Sequence, residues 1–190
     1  MREWAASSLN LVLDAVKTVP AVHLCFGNYG GQSIQKGGWK SLIKYLNALH
    51  VDHVVMECAH RPVEELEGFR DLDPKIGFGL GVVDIKKTEA ESADQIARSI
   101  ERAEKVLGAG RVKYLHPDCG FWMLKRGMAD AKIRALARGR DLFEGVVAHS
   151  WRESAGADAL VRRTRNWVLL DAALNLLAEI GVVLLLFTIG

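Results

Sequence analysis

The chain has 190 residues, of which 49% are hydrophobic and 25% charged, and its formal net charge is +2. These values are typical of one soluble globular domain, and a near-neutral balance without a concentrated basic stripe argues against nucleic acid as the main partner. Three cysteines, an odd number, predict reduced thiols and a cytoplasmic protein, not a disulfide framework.

The first predicted elements are an amphipathic helix, a strand and a glycine-rich loop. Apolar residues recur at three- and four-residue steps over residues 4–16, which predicts a helix and not a signal peptide. Residues 21–25 form the first predicted strand. The loop at residues 27–38 has neither the Lys-Ser/Thr pair of a P-loop nor the spaced glycines of a dinucleotide site. We therefore interpret it as a flexible loop over an active site, with no cofactor-binding residues.

Three further strand and helix pairs follow. The predicted strands cover residues 51–58, 75–84 and 111–115, and the predicted helices cover residues 39–49, 63–69, 89–107 and 129–142. Gly77, Gly79 and Gly81 alternate in the third strand, where they allow a ligand or another backbone to approach closely. Thr88 is the predicted N-cap of the helix that follows this strand.

This alternation predicts an α/β fold. Strand and helix alternate four times, with connections long enough for parallel crossovers. Four such βα units are half of a TIM-type (β/α)8 barrel, which usually needs about 250 residues. We assign residues 1–145 to this half-barrel domain and residues 146–190 to a separate apolar tail.

The tail contains an apolar stretch at residues 167–189. A membrane-spanning helix needs about 20 predominantly apolar residues. Asp171 and Glu179 interrupt the stretch, and each charge costs about 2.5 to 3.5 kcal/mol at a helix centre. We therefore favour a helical tail that covers an open edge of the sheet, or a sequence foreign to the domain, over a membrane span.

Four candidate metal ligands stand at the ends of predicted strands. His23 and Cys25 share one face of the first strand, Glu57 ends the second apolar run, and Cys119 follows the fourth. One nitrogen, one oxygen and two sulfur donors can complete a zinc shell, or hold the metal while a substrate thiol displaces one of them. The alternative is four unrelated core residues, but a carboxylate at the end of an apolar strand is costly unless it is paired or ligated.

These motifs resemble a known family. His23-x-Cys25, the distant Glu57 and the segment Pro-Asp-Cys-Gly at residues 117–120 are similar to the zinc site of cobalamin-independent methionine synthase, in its C-terminal barrel. The segment 79–85 resembles the family sequence between the glutamate and the last cysteine. The resemblance covers about residues 4–145. It implies the C-terminal half of the catalytic barrel, with Zn2+ bound by His23, Cys25, Glu57 and Cys119.

The resemblance implies zinc-dependent methyl transfer to a thiol in methionine biosynthesis. In the classical enzymes the thiol is homocysteine and the donor is a methylated folate polyglutamate; coenzyme M alkyltransferases and relatives that take methyl from a corrinoid look similar. Asp84 ends the third strand and is a catalytic candidate. Lys86 is another, because it stands where the classical enzymes have a histidine thought to donate a proton.

The first half of the family's barrel has no counterpart in this sequence. We therefore also consider a half-barrel that keeps zinc without turnover, as a binding or assembly module. Its partners would be a second copy or a separate first-half chain.

Glu57 and Cys58 are adjacent, so the strand pleat sends them to opposite faces. The resemblance selects Glu57 for the metal, and we expect Cys58 to pack outward under a helix. His116 and Asp118 either orient a ligand or are exposed turn residues.

Overall fold

The computed structural model describes residues 2–28 and 37–145. Residue 1 and residues 29–36 lie outside this part of the chain. So do residues 146–190, the region of the predicted apolar tail and of the second predicted domain.

The centre of the structure is one parallel sheet of four strands. The strands are β1 (Ala21–Leu24), β2 (His53–Met56), β3 (Gly77–Val83) and β4 (Val112–Pro117), and they lie side by side in chain order. Ala21 pairs with His53, and His53 pairs with Gly77, so the first three strands begin level with one another. The predicted α/β fold of parallel βα units is confirmed, and all four carboxyl ends lie at one edge of the sheet.

Helices precede, connect and follow the strands. They are α1 (Arg2–Leu13), α2 (Ile43–Leu46), α3 (Ala93–Leu107), α4 (Arg126–Phe143) and two 3-10 helices, Trp39–Leu42 and Val63–Asp71. The predicted helix 63–69 is thus of the tighter 3-10 type, and the predicted helix 39–49 begins as one. Within the described ranges, no helix has the length and apolar character needed to cross a bilayer.

The start of α3 differs from the prediction. The helix begins at Ala93 and its N-cap is Ser92, not Thr88. The Ser92 hydroxyl accepts a hydrogen bond from the Gln95 backbone N–H, and the Gln95 side chain accepts one from the Ser92 N–H. This reciprocal capping box satisfies two backbone donors that have no partner inside the helix.

An aromatic cluster fills the space between the sheet and the helices. Trp39 lies 4.4 Å from Phe26 and Phe69 lies 4.8 Å from Phe78, measured between ring centroids. All four side chains are buried. Burying a side chain of this size stabilises the fold by about 1.5–3 kcal/mol, and Phe26 thereby anchors the residues that follow β1, next to Cys25.

The alternating glycines of β3 are sites of close backbone approach, as predicted. A Cβ at Gly79 would lie 2.8 Å from the Val54 carbonyl oxygen, and one at Gly81 would lie 2.7 Å from that of Met56. A side chain at either position would therefore push β2 and β3 apart.

Candidate metal centre

Three of the four predicted ligands converge at the carboxyl edge of the sheet. His23 lies in β1, Cys25 follows it, and Cys119 lies two residues after β4. Their donor atoms are all within 4.8 Å of one another. In a flat sheet three strand spacings would separate β1 from β4 by about 14 Å, yet Cys119 Sγ is 3.5 Å from His23 Nε2. The curvature of the half-barrel, and the loop after β4, therefore create this cluster.

The orientation of the His23 ring is fixed by the neighbouring strand. Its Nδ1 lies 3.0 Å from the Val55 carbonyl oxygen. Because a carbonyl only accepts hydrogen bonds, Nδ1 carries the proton and donates it. The Nε2 lone pair then faces Cys119, and a histidine whose other nitrogen is held in this way is arranged as metal ligands usually are.

A hydrogen bond couples the two thiols of the cluster. A hydrogen bond from Cys119 lowers the pKa of Cys25 to about 4, and His23 adds to this effect against the opposing effect of burial. The same hydrogen bond raises the pKa of Cys119 far above its usual range. The lowered pKa favours the thiolate of Cys25, and a thiolate is the form of cysteine that binds metals.

The dimensions of the cluster fit zinc. Zinc bonds of about 2.3 Å to sulfur and about 2.0 Å to nitrogen, at a tetrahedral angle, place the two donor atoms roughly 3.5 Å apart. The His23–Cys119 pair has a separation of 3.5 Å. One imidazole and two thiols also match the nitrogen and sulfur ligands that zinc prefers.

Glu57 is fully buried at the end of β2, but its carboxylate has other partners. Its Oε2 accepts a hydrogen bond from the Phe26 backbone N–H at 2.5 Å, and its Oε1 accepts one from Lys86 Nζ at 2.6 Å. Oε1 also lies 3.2 Å from His60 Nε2. Glu57 groups with His60 and Asp118, not with the His23, Cys25 and Cys119 donors. Its role as the fourth ligand stays a prediction.

Asp118 and His60 form a hydrogen-bonded group next to Glu57. The fully buried Asp118 carboxylate accepts hydrogen bonds from the backbone N–H groups of Cys58 and Ala59, both at 2.8 Å, and from His60 Nδ1 at 2.8 Å. His60 thereby joins Asp118 to Glu57. No role for His60 was predicted from the sequence. Its position three residues after Glu57, just beyond a strand end, could have indicated that the two side chains lie close together.

The His116 ring bonds to the backbone. Its Nδ1 donates a hydrogen bond to the Pro117 carbonyl oxygen at 2.7 Å. Burial lowers the pKa of His116 to about 4, so the ring is neutral. His116 and Asp118 were both considered as groups that orient a ligand. Asp118 is the one linked to a predicted ligand, because it binds His60, which contacts Glu57.

The two catalytic candidates lie in the loop after β3. Asp84 is 4% exposed, and its Oδ1 accepts a hydrogen bond from the Lys86 backbone N–H at 2.9 Å. The Lys86 side chain extends to Glu57. Asp84 thus fixes the conformation of the loop. Lys86 is the candidate whose side chain contacts a predicted ligand, Glu57.

Cys58 lies on the other side of the sheet. It lines a pocket between the 3-10 helix Val63–Asp71 and α3, together with Leu66, Ser99 and Arg102. Burial raises the pKa of its thiol well above the usual range, and the nearby Asp118 carboxylate adds to the effect. Cys58 is therefore a protonated packing residue in this structure.

Comparisons with known proteins match most of the chain. Residues 3–140 match the family model for the catalytic domain of cobalamin-independent synthase. A 2-hydroxypropyl-CoM lyase from Xanthobacter autotrophicus is 25% identical over 175 residues, covering 77% of this chain and 46% of the relative. A methionine synthase from Thermococcus kodakarensis is 25% identical over 150 residues, covering 79% of this chain and 41% of the relative.

A solved structure shares the fold. A B12-independent methionine synthase from a Shewanella species, in complex with selenomethionine, superposes with a TM-score of 0.61 at 23% identity. The match covers 75% of this chain and 43% of that one. The four βα units are therefore half of a TIM-type barrel, and the chain spans less than half the length of these relatives.

Proposed function

The chain belongs to the cobalamin-independent methionine synthase catalytic-domain family, and we propose that it takes part in zinc-dependent methyl transfer to a thiol. The observation that carries the proposal is the convergence of His23, Cys25 and Cys119 donor atoms within 4.8 Å of one another. Soft donors gathered at the carboxyl edge of barrel strands lie where barrel enzymes place their chemistry.

In this proposal His23, Cys25 and Cys119 hold the zinc ion, and Glu57 is its fourth ligand. Zinc bound there lowers the pKa of a thiol that it coordinates. An oxygen donor is a weaker partner for zinc than a third sulfur, so Glu57 would be the ligand that an incoming thiol replaces. Lys86, His60 and the Phe26 N–H are the donors already placed to receive its carboxylate.

The transfer forms a bond between the substrate sulfur and the methyl carbon and breaks the bond between that carbon and its donor. The substrate thiol gives up its own proton to solvent when it becomes the thiolate, and the donor atom takes up one proton as it leaves. We assign this proton to Lys86, because its side chain is 12% exposed and its ammonium lies 2.6 Å from Glu57 Oε1. Asp84 supports it by holding the Lys86 backbone N–H.

The proposed substrates are homocysteine and a methylated folate, the pair that the classical family members use. A corrinoid is the alternative methyl donor. Coenzyme M is a second candidate thiol, because the matched relatives include a 2-hydroxypropyl-CoM lyase. We expect the groups that recognise the rest of either substrate in the part of the relatives' length that this chain does not match.

The sheet also suggests how a complete site is assembled. β1 and β4 are the two edges of the described sheet, and a closed barrel needs four more strands between them. We propose that another four βα units complete it, from a second copy of the chain or from a first-half chain.

A methyl-transfer assay tests the proposal. The protein is loaded with zinc and given homocysteine and a methylated folate, alone and mixed with a first-half fragment of a relative. We expect methionine in at least the mixture, and none with the Cys25→Ser/Cys119→Ser variant. Coenzyme M in place of homocysteine distinguishes the second candidate. Stoichiometric zinc with no transfer to either thiol would instead support a binding or assembly module.

A further inference from the structure

A buried lysine lies outside the candidate metal centre. Lys132 on α4 is 0% exposed. Burying an ammonium group costs several kcal/mol unless its protons are accepted by nearby groups. Its Nζ donates to the Asp84 carbonyl oxygen at 2.9 Å, to the Glu89 carbonyl oxygen at 2.6 Å, and to the Glu91 carboxylate at 3.1 Å. The charge is therefore fully partnered.

All of these acceptors belong to one short segment, the loop 84–91 between β3 and α3. Lys132 contacts the loop at its start, at Asp84, and near its end, at Glu89 and Glu91. Glu91 closes the same loop internally, because its Oε1 also accepts a hydrogen bond from the Asp84 backbone N–H at 2.8 Å. The ammonium thus ties the two ends of the loop together.

Lys86 lies inside this closed loop. Its backbone N–H donates to Asp84 Oδ1 at 2.9 Å, and its Nζ lies 2.6 Å from Glu57 Oε1. A chain of direct contacts therefore runs from Lys132 through the loop to the carboxylate that we assign to zinc. Glu91 is only 16% exposed, so removal of the Lys132 charge would leave a mostly buried carboxylate without its cation. An unpaired Glu91 carboxylate would turn toward water, because a buried charge without a partner is costly. The loop 84–91 would then move away from α4.

We propose that Lys132 is a positioning residue: it holds the loop 84–91 closed so that Lys86 stays against Glu57 and competes with the metal for that carboxylate. This inference rests on the proposed function for the part that concerns zinc. The closure of the loop itself is independent of any metal.

Tryptic cleavage of the full, metal-free chain tests the closure, because the loop contains adjacent lysines, Lys86 and Lys87. The rate of cleavage after them follows the population of the open loop. Loss of hydrogen bonds to a charged group should raise this rate at least about tenfold in Lys132→Met. Lys132→Arg should restore most of the protection. Arg134→Met, an exposed cation on the same helix, is the control and should cleave like the unmodified chain.

Glu91→Gln provides a second test if Lys132→Met does not fold. It keeps the shape of the side chain and weakens the same contacts, so cleavage should again rise. Unchanged cleavage in the folded variants would overturn the proposal.

Zinc affinity, measured by competition with a chelator, tests the link to the metal. Lys86→Met and Lys132→Met should each raise the affinity by about tenfold, because each frees Glu57 from a charged hydrogen bond. The double variant should gain no more than either single one, and the gain should vanish in a Glu57→Gln background. Additive gains would overturn the link through Lys86. If the unmodified chain binds no zinc, the proposed function fails, and the cleavage experiment still decides whether Lys132 closes the loop.

Discussion

At the scale of single residues, Glu57 and Cys58 show how a strand pleat separates two adjacent potential ligands. Glu57 points to the side of the sheet where Phe26 and Lys86 lie, whereas Cys58 lines a pocket beside α3. On softness alone the thiol would be the better zinc ligand. Orientation therefore favours Glu57 over Cys58 as the proposed fourth ligand, and an oxygen donor would leave the zinc shell easier to open.

Alanine substitutions test whether Glu57 binds the metal and Cys58 only packs. Cys58→Ala should leave zinc content unchanged and lower the free energy of unfolding by about 1 kcal/mol, because it removes only a packing contact. Glu57→Ala should weaken zinc binding by about tenfold or more, since the proposed oxygen ligand is lost together with its hydrogen bonds to Lys86 and the Phe26 N–H. Zinc titration and urea unfolding measure the two effects. Normal zinc affinity in Glu57→Ala together with weakened binding in Cys58→Ala would reverse the assignment.

The sequence allowed the positions of His23, Cys25, Glu57 and Cys119 at strand ends to be predicted, because buried strands are recognisable apolar runs. It did not reveal Lys132 as the partner of the β3–α3 loop. The two lie more than 40 residues apart, and a lysine in an amphipathic helix usually faces water. Only the packing of α4 beside the loop makes Lys132 a buried cation.

At the scale of elements, the start of α3 shows why local signals can mislead. Thr88-x-x-Glu91 and Ser92-x-x-Gln95 both fit the pattern of a capping box. The structure uses the second, because Glu91 is engaged by Lys132 and by the Asp84 N–H and cannot also cap a helix. A tertiary contact thus moves the start of the helix by one turn.

Replacing each candidate cap tests this account. Ser92→Ala should lower the free energy of unfolding by about 1 kcal/mol, because it removes the side-chain acceptor of the capping box. Thr88→Ala, the matched control, should change it by less than about 0.5 kcal/mol. Chemical denaturation of both variants measures the difference. A larger loss in Thr88→Ala than in Ser92→Ala would contradict the assigned cap.

The glycines of β3 give a second prediction at this scale. Gly81→Ala should destabilise the protein by about 1–3 kcal/mol, because its Cβ would overlap the Met56 carbonyl oxygen and the Asp118 carboxylate. The control is Gly127→Ala on α4, where a Cβ would meet nothing within 4 Å. That change should be neutral or stabilising by up to about 1 kcal/mol, owing to helix propensity. Equal stability of the two variants in thermal unfolding would contradict the close packing of β3.

At the scale of the whole molecule, the curvature of the sheet is the central feature. It brings His23 on one edge strand to Cys119 beyond the other, and it leaves β1 and β4 as the edges of the described sheet. The number of strands and their parallel order were predictable from the alternation of strands and helices. The curvature that brings these two donors together is a property of the packed sheet, which the spacing of the sequence does not specify.

Edge strands present backbone groups that readily pair with another chain. We therefore expect a shortened chain of residues 1–145 to self-associate at micromolar concentration. Light scattering coupled to gel filtration measures this, and the full chain is the control. Addition of a first-half fragment of a relative should replace the self-association with a defined complex. A stable, monodisperse monomer of the shortened chain would show that these edges need no partner.

The zinc content of the purified chain tests the central claim most directly. We expect about one zinc ion per chain in protein purified under reducing conditions, because one imidazole and two thiols form a zinc-binding set. The Cys25→Ser/Cys119→Ser variant should lose it, while Cys58→Ala retains it. Stoichiometric zinc in the double variant, or none in the unmodified chain after incubation with zinc, would contradict the account.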